Sequence, residues 1–482
     1  MGREAGSPDV RRVNLMHGGA RSSRRGLVLG ATGAAAALRP VGGRAARRRA
    51  VRVIVVGGGL AGLAAASELR RAGFEVALFE ARNRLGGRVL TLRTQFGSGQ
   101  YAEAGGEFVH PLHRTLIGYV RQFGLALEPA SASLPARDLV YRRGKRARLS
   151  VVETDAVRAS LARFDDRLGQ LAKPLDPADP AVAGARLDGL SAAQLLDELR
   201  LEPTARWLVE HSLRNVFAVE PDDLSLLFLA QRRKLYGSLA ARGGTMRIQG
   251  GAGRLVSALA RGTRTTGSRP VTRLELGATG VAVDGSEADY CVLAIPVRTW
   301  GDITFSPDLP APLRDAREGL QYGVATKTML QYGRRFWLRS HLSGSVLADL
   351  PFTASWEATQ RQPGGSGILT AYSTGNAGFL YSGIEPGTRV LVAADELDDV
   401  FPGTRPLVVH NATAGWLNER YSRGTAVAYA RGQVTKFWQA LREPVGRLHF
   451  AGEHADDFAG SMEGALRSGL RAAAAIAARE RR

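Results

Sequence analysis

The sequence predicts an α/β fold whose parallel sheet is assembled from segments that lie far apart in the chain. Residues 53–56 form a continuous apolar run, which is typical of a strand buried on both faces of a parallel sheet. Residues 60–72 have helical periodicity and residues 75–79 read as a second strand, which gives a strand–helix–strand unit. Strand-like runs return at residues 271–276, 280–283 and 290–295, and the chain closes with a strand at 448–451 and a helix at about 463–479.

The chain between these segments has a different character and predicts a second lobe. Residues from about 112 to 235 are mostly helical in pattern, with helices expected at 190–199 and 204–219. Residues of about 300–420 are mixed, with strand-like runs at 367–372 and 389–393. A chain of 482 residues exceeds the roughly 250–300 residues at which one hydrophobic core stops growing, so at least two lobes are expected.

The first strand runs directly into the motif Gly57-x-Gly59-x-x-Gly62. In a dinucleotide-binding turn the first glycine makes the tight turn, the second lets the backbone approach the diphosphate, and the third allows close packing of helix and strand. The helix that begins with Leu60 and Ala61 presents free N–H groups to phosphate oxygens. Because the glycines follow a strand and open a helix, they predict a Rossmann-type nucleotide site.

An acidic residue and a second glycine pair extend this motif. Glu80 ends the second strand, where a carboxylate binds the ribose hydroxyls, and an acid at this position argues against NADP. Arg82, Gly86, Gly87 and Arg88 follow immediately, which suits a second backbone approach to the diphosphate with an arginine neutralising its charge. This continuation favours FAD over NAD.

The net charge of +20 does not predict nucleic-acid binding. Residues 1–52 hold twelve arginines and two acidic residues, so half of the excess lies in a terminal segment, and no nucleic-acid-binding motif follows. The one cysteine, Cys291, lies in an apolar strand-like run and is expected to be a buried thiol. No constellation of metal ligands is expected.

The N-terminal segment, residues 1–45, has the pattern of an export signal. Arg24 and Arg25 precede an uncharged stretch of 12 residues, at 27–38, which is too short to span a bilayer. We expect export to the periplasm or beyond through a twin-arginine-type signal, with a cytoplasmic enzyme carrying a basic leader as the alternative.

Further motifs appear in an order that resembles the flavin-containing amine oxidase family, which includes monoamine oxidase-like, polyamine and L-amino-acid oxidases and bacterial flavin amine oxidases. The similar segments are residues 101–108, 246–251, 270–271, 450–454 and 461–473. The resemblance implies three FAD-binding segments, at 51–111, 241–300 and 421–482, a helical substrate-domain insert at 112–240 and a mixed-sheet substrate domain at 301–420. It assigns to the cofactor Gly105, Gly106, Glu107, Val271, Gly452, Glu453 and Met462.

The resemblance also assigns the reaction. Lys327 lies in an apolar run and matches the family lysine that contacts the flavin N5 through a water. The reaction implied is transfer of a hydride equivalent from the amine α-carbon to FAD, release and hydrolysis of the imine to an aldehyde or ketone and ammonia, and reduction of O2 to H2O2. The partners implied are an amine and O2, and a homodimer is compatible with the sequence.

Two departures from the family pattern concern the flavin and the amine. Thr425 stands where monoamine oxidases have the cysteine that binds the flavin covalently, so FAD is expected to be non-covalent. Ala426 and Ser461 stand where monoamine oxidases place two aromatic rings around the amine, and Trp416 completes the expected pocket. An L-amino-acid or polyamine oxidase, and a flavin-binding protein without turnover, are the alternatives that the sequence leaves open.

Overall fold

The computed structural model describes residues 50–130, 138–238 and 244–481. The expected export signal lies outside the described residues. The elements of the first described range are β1 (Arg52–Val56), α1 (Leu60–Arg71), β2 (Glu75–Phe79), β3 (Thr91–Leu92), β4 (Ala102–Glu103), α2 (Arg114–Gln122) and β5 (Leu127–Pro129). Those of the second are β6 (Leu139–Arg142), β7 (Lys145–Arg148), α3 (Leu149–Val152), α4 (Asp155–Ala172), α5 (Pro180–Asp188), α6 (Ala192–Leu199), α7 (Pro203–Phe217) and α8 (Leu226–Tyr236).

The third range holds the remaining elements. Its first half contains β8 (Met246–Ile248), α9 (Gly253–Ala260), β9 (Arg264–Thr266), β10 (Arg273–Leu276), β11 (Val281–Val283), β12 (Ser286–Ala288), β13 (Tyr290–Leu293), β14 (Thr304–Ser306) and α10 (Ala311–Gly319). Its second half contains β15 (Ala325–Tyr332), α11 (Phe336–Arg339), β16 (Val346–Ala348), β17 (Ala354–Glu357), β18 (Gly367–Thr374), α12 (Gly375–Gly383), α13 (Pro386–Val400), β19 (Val408–Gly415), α14 (Gln433–Phe437), β20 (Leu448–Phe450) and α15 (Met462–Glu480).

A five-stranded sheet of order β20-β13-β1-β2-β9 forms the nucleotide side of the molecule. Its strands are all parallel, and β1 and β13 are apolar because helices or other elements cover both faces. Helix α1 packs on α15, where a Cβ at Gly469 would lie 2.2 Å from the carbonyl oxygen of Ala61. The predicted assembly of this sheet from segments distant in sequence is confirmed, and Cys291 is buried in β13 as expected.

A seven-stranded sheet of order β19-β15-β18-β17-β16-β6-β7 forms the other side. Its pairs are antiparallel except β16–β6, which is parallel. Strand β15 lies between β18 and β19, so Lys327 is on an interior strand rather than an edge strand. The register places Lys327 directly opposite Tyr372, and Tyr372 opposite Ala354, which sets one row of side chains across three strands.

Two expectations about local structure are corrected. The strand-like run at residues 389–393 lies inside helix α13, because Arg389, Ala393 and Leu397 are buried at helical spacing. The insert at 112–240 is mostly helical, as predicted, but it also supplies the hairpin β6–β7 to the seven-stranded sheet. The predicted helices at 190–199 and 204–219 correspond to α6 and α7.

Among the helices of the described ranges, none is long and apolar enough to cross a membrane. The same residues contain no group of three or more His, Cys, Asp or Glu side chains placed to hold a metal ion.

Candidate active site

A cavity of about 920 Å³ runs between the carboxyl ends of the parallel strands and the face of the seven-stranded sheet. Ligands of open α/β sheets bind at the carboxyl ends of the strands. Every predicted cofactor position except Gly62 lines this cavity, namely Gly57, Gly59, Leu60, Ala61, Glu80, Arg82, Gly86, Gly87, Arg88, Gly105, Gly106, Glu107, Val271, Gly452, Glu453 and Met462. The predicted catalytic and pocket positions also line it, namely Lys327, Thr425, Ala426, Ser461 and Trp416.

The glycine turn after β1 has the geometry that its motif predicts. Gly57 has a positive φ of 105°, and a Cβ there would lie 2.6 Å from the Ala294 carbonyl oxygen. A Cβ at Gly62 would lie 1.9 Å from the Gly57 oxygen, so this glycine serves helix–strand packing and does not reach the cavity. A Cβ at Gly59 would meet no atom within 4 Å, because the space beside it is the cavity. Gly59 is the N-cap of α1 and makes no side-chain cap, which leaves the first N–H groups of the helix for a ligand.

Glu80 orders the turn at the nucleotide end of the cavity, which is the end lined by Gly57, Gly59 and Glu80. Its carboxylate accepts hydrogen bonds from the backbone N–H groups of Gly58 at 2.7 Å and of Arg82 at 2.8 Å. The Arg82 guanidinium is paired with Glu419 and donates to the Ser422 hydroxyl at 2.9 Å, so it joins the first and third predicted FAD-binding segments. Glu80 therefore orders the turn as well as facing the cavity.

Arg88 and Glu453 form an ion pair between segments 365 positions apart. Arg88 donates to Glu453 and to the Thr425 carbonyl oxygen, each at 2.8 Å. The Glu453 carboxylate also accepts from the backbone N–H groups of Val427 at 3.2 Å and Gly460 at 2.9 Å. This pair holds the loop of the third segment against the first, with both side chains in the cavity wall.

Gly105 and Gly106 allow the chain to pass close beneath Arg88 and α15. A Cβ at Gly105 would lie 1.8 Å from the Arg88 carbonyl oxygen, and one at Gly106 would lie 3.1 Å from the Met462 side chain. Trp416 donates from its indole N–H to the Ala104 carbonyl oxygen at 3.0 Å, which holds its side chain against this segment. The two glycines therefore allow this segment to form part of the cavity lining.

Helix α15 begins at Met462 and directs its N-terminus at the cavity, as expected. Ser461 caps this helix, since its hydroxyl accepts from the Gly464 N–H at 3.0 Å and donates to the Phe458 carbonyl oxygen at 2.6 Å. The hydroxyl of Thr425 accepts from the Ala325 N–H at 3.0 Å. Ser461 thus serves as a helix cap, and Thr425 ties its loop to the start of β15.

At the far end of the cavity, Val271 precedes β10 rather than lying within it. Its neighbour Arg269 covers the ring of Phe79 with its guanidinium 3.7 Å from the ring centroid. Both Arg269 and Val271 line the cavity. The stacked pair Arg269–Phe79 and the side chain of Val271 therefore form its boundary at the nucleotide end.

Lys327 is buried on β15 with every proton of its ammonium group donated within the protein. The acceptors are the carbonyl oxygens of Glu103 and Gly105, each at 3.1 Å, and the Glu107 carboxylate at 2.7 Å. Burial alone would raise the pKa of Glu107, but the charges of Lys327 and Arg247 hold that pKa below its ordinary value. The pKa of Glu103, buried next to this group, is raised to about 7 by burial.

Sequence reasoning missed the aromatic wall on the substrate side. The Trp356 ring lies 5.3 Å from that of Tyr372 and 5.5 Å from that of Phe108, measured between centroids. All three line the cavity, together with Asn215 of α7 and the exposed Val216. The predicted strand at 367–372 contained one of these rings, but its pairing with β15 was the information needed to place it.

His454 was also missed as a cavity residue, although it follows Glu453 in a motif that the sequence displays. Burial lowers the pKa of His454 to about 4, so the imidazole is neutral at pH 7. Its Nε2 atom is buried and has no hydrogen-bond partner among the described residues. A buried polar atom of this kind in a cavity wall favours a polar ligand nearby.

The residues present fit FAD. The Gly59 position leaves backbone open to a diphosphate, two helix N-termini face the cavity, and Arg88 supplies a cation. A volume of about 920 Å³ is at the upper end of the roughly 300–1,000 Å³ of small-molecule sites, as a cofactor together with a substrate requires.

The model of the flavin-containing amine oxidoreductase family matches residues 60–477. The "Putative flavin-containing monoamine oxidase AofH" of Mycobacterium tuberculosis is 31% identical over 459 residues, which covers 89% of this chain and 97% of that relative. Flavin-containing amine oxidase A of Equus caballus is 28% identical over 458 residues, with 88% and 84% covered. The structure of cyclohexylamine oxidase from Brevibacterium oxydans superimposes with a TM-score of 0.81 at 25% identity, covering 90% of this chain and all of that one. The chain belongs to the flavin-containing amine oxidoreductase family and is an FAD-dependent oxidoreductase that acts on amines.

Proposed function

We propose that this chain is an oxidase that converts an amine to an imine and reduces O2 to H2O2. The observation that carries the proposal is one continuous cavity that joins the backbone cradle after β1 to Lys327 and the aromatic wall. When bound, FAD accepts a hydride equivalent from the amine α-carbon and passes two electrons to O2. The imine is hydrolysed in water to an aldehyde or ketone and ammonia.

The chain's own residues hold and enclose the reactants. The N–H groups at Leu60 and Ala61 and the Arg88 cation would hold the diphosphate, Glu80 a ribose, Val271 the adenine, and the α15 N-terminus at Met462 the flavin pyrimidine edge. Tyr372, Trp356 and Phe108 would bind the carbon skeleton of the amine and exclude water.

We propose that the substrate is a monoamine that carries no second ammonium group and no carboxylate. Among the described residues that line the cavity, the acidic side chains all have partners: Glu80 (backbone N–H groups), Glu107 (Lys327 and Arg247), Asp302 (Arg423) and Glu453 (Arg88). The arginines that line it lie at the nucleotide end, so nothing near Tyr372 offers an unpaired charge to a second ammonium or a carboxylate. An L-amino-acid or polyamine oxidase remains the alternative.

Peroxide release tests these substrate classes directly. The FAD-loaded protein is mixed with cyclohexylamine, with putrescine and with L-leucine, and H2O2 is measured in a coupled assay. We expect peroxide from cyclohexylamine and much less from the other two. Preference for putrescine or L-leucine would overturn the substrate proposal but not the oxidase proposal. No peroxide from a broad amine panel would support a flavin-binding protein without turnover.

The flavin is proposed to be non-covalent, because Thr425 has no thiol and its hydroxyl is bonded to the Ala325 N–H. Acid precipitation of the holoenzyme should release the yellow colour into the supernatant. Colour that stays in the pellet would contradict this proposal.

Export through the arginine pair Arg24-Arg25 and assembly as a homodimer are further proposals. Fractionation of an expressing bacterium should place the processed protein outside the cytoplasm, and replacing both arginines by lysine should retain it inside. Light scattering of the purified holoenzyme should give twice the mass of the purified chain, which is 51.5 kDa when unprocessed. The mass of a single chain would contradict the dimer.

A further inference from the structure

Glu107 lies at the centre of a buried charged cluster beside the proposed reaction site. Its carboxylate accepts from the Lys327 ammonium at 2.7 Å, from the Arg247 guanidinium at 2.8 Å and from the Trp356 indole N–H at 3.0 Å. Arg247 also donates to the carbonyl oxygens of Ala130 at 2.8 Å and Glu357 at 3.2 Å, so it is fixed independently of Glu107. The carboxylate is therefore held from two sides and can in turn hold Lys327.

The lysine has no freedom left in this arrangement. An ammonium group has three N–H donors and no acceptor, and here all three are donated, to Glu103, Gly105 and Glu107. Two of these acceptors are backbone carbonyls, whose positions are set by the chain, so the Glu107 side chain is the contact that a substitution can remove. The same ammonium lies 5.2 Å from the Trp356 ring centroid, above the ring face.

We propose that Glu107 is a positioning residue that fixes the Lys327 ammonium beside the flavin and links it, through Trp356, to the amine wall. Glu107 then acts on the reaction of reduced FAD with O2 through Lys327. The inference rests on the proposed function only in assigning Lys327 to the reaction of the flavin.

A double-mutant cycle with an amine-free readout tests this role. The holoenzymes of wild type, Lys327→Met, Glu107→Gln and the double variant are photoreduced without oxygen and mixed with O2, and the return of oxidised flavin absorbance gives a rate. Two electrons pass from the flavin to O2 and yield H2O2, so no amine is needed. We expect Lys327→Met and Glu107→Gln each to slow reoxidation by about tenfold, and the double variant to be no slower than Lys327→Met.

Three further variants separate positioning from a structural role. Glu396→Gln removes another buried carboxylate, on α13 away from the cavity, and should leave the rate unchanged. Trp356→Phe keeps an aromatic ring but removes the hydrogen bond from the indole N–H to Glu107, and should slow reoxidation less than Glu107→Gln. Glu107→Asp keeps the charge and should recover part of the rate. If Glu107→Gln does not retain FAD, the cycle is run with Glu107→Asp, whose side chain is one methylene shorter, and the expected loss is then smaller than tenfold but still absent on top of Lys327→Met.

The outcomes decide the proposal in either case. Reoxidation at the wild-type rate in the Glu107 variant or in Lys327→Met would overturn it. Losses that multiply in the double variant would also overturn it, because Glu107 would then act independently of Lys327. A non-additive cycle together with no amine turnover would sink the proposed function and leave this inference standing.

Discussion

The nucleotide end and the amine end of the cavity are built in different ways. The nucleotide end is a backbone surface, in which Gly57 and Gly105 let neighbouring backbone segments pack closely and Gly59 leaves the space beside it free for a diphosphate. The amine end is a side-chain surface, in which Lys327, Tyr372 and Trp356 come from three neighbouring strands. Added atoms at Gly57 or Gly105 would collide with neighbouring backbone and one at Gly59 would enter the cavity, whereas the amine end depends on which side chains the strand register brings together.

This difference predicts that substitutions will separate cofactor binding from amine binding. A glycine change at the nucleotide end should lower the affinity for FAD, while a change in the aromatic wall should act on the amine and leave FAD in place. Substitutions at Gly62, Gly59 and Trp356 test that separation, and one at Glu396 tests a buried carboxylate outside the cavity; they follow in order of decreasing expected effect.

Gly62→Ala should abolish the FAD site. The added Cβ would lie 1.9 Å from the Gly57 carbonyl oxygen, and backbone on both sides cannot yield, so we expect a loss of more than about 4 kcal/mol and no recoverable holoenzyme. Flavin absorbance per folded chain measures the effect. Gly118→Ala on α2 is the matched control, because a Cβ there meets nothing within 4 Å. Normal FAD content in Gly62→Ala would contradict the packing role of this glycine.

Glu396→Gln should remove a pH dependence of stability that arises from a buried carboxylate on α13. Burial raises the pKa of Glu396 to about 7 from 4.5, so its stabilising contribution is complete below pH 4.5 and is lost as the pH rises through 7. We expect the unfolding free energy of the variant, relative to wild type, to rise by about 3 kcal/mol between pH 5 and pH 8. Tyr381 and the Phe352 N–H both donate to one oxygen of Glu396, which the glutamine retains.

Urea unfolding at pH 5, 6, 7 and 8 measures this difference. Glu287→Gln, at an exposed position on β12, is the control and should give a constant difference across the series. A constant difference for Glu396→Gln as well would show that this carboxylate is ionised in the folded protein at all these pH values.

Gly59→Ala should weaken FAD binding without unfolding the protein. A Cβ at this position meets no protein atom within 4 Å but points into the cavity where the diphosphate is expected. We expect an increase of about 30-fold in the FAD dissociation constant, on the order of 2 kcal/mol. Quenching of FAD fluorescence on titration with apo-protein gives the constant, and the melting temperature of the apo-protein should stay unchanged. An unchanged dissociation constant would place the diphosphate elsewhere.

Trp356→Ala should raise the KM for a ring-containing monoamine by about tenfold, on the order of 1.4 kcal/mol, while the FAD dissociation constant stays at the wild-type value. The ring packs between Phe108 and Tyr372 and has no part in the nucleotide end. Steady-state peroxide release measures the KM. A large loss of FAD affinity in this variant would mean that the two ends of the cavity are not separable.

The contrast between the two ends also explains what the sequence could predict. The nucleotide end can be predicted from the sequence because its residues are close together in the chain. Gly57 to Arg88 belong to one strand–helix–strand unit and its following loop, and their spacing along the chain is that of the motif. Gly62 belongs to the predicted cofactor motif as its packing glycine, and in the structure it lies against the Gly57 carbonyl oxygen and does not line the cavity. Met462 was expected to open the last helix, and it does.

The amine end is harder to predict from the sequence, because its side chains come together only through tertiary contacts. The family resemblance, supported by its position in an apolar run, singles out Lys327, but Tyr372 and Trp356 are ordinary strand residues until their register with β15 is known. Ser461 stands where monoamine oxidases have an aromatic ring, and only the structure shows that its hydroxyl caps α15. The run at 389–393 was read as a strand because a short apolar segment does not distinguish a buried helix from a strand.

Anaerobic reduction of the bound flavin by an amine tests the joined cavity most directly. Cyclohexylamine is added without oxygen to the FAD-loaded wild type and to Trp356→Ala, and the visible absorbance of the oxidised flavin is followed. We predict complete bleaching in the wild type, a higher amine concentration for half-maximal bleaching in the variant, and full return of the colour when O2 is admitted. A flavin that stays oxidised with cyclohexylamine and with every other amine tested would contradict amine oxidation at this site.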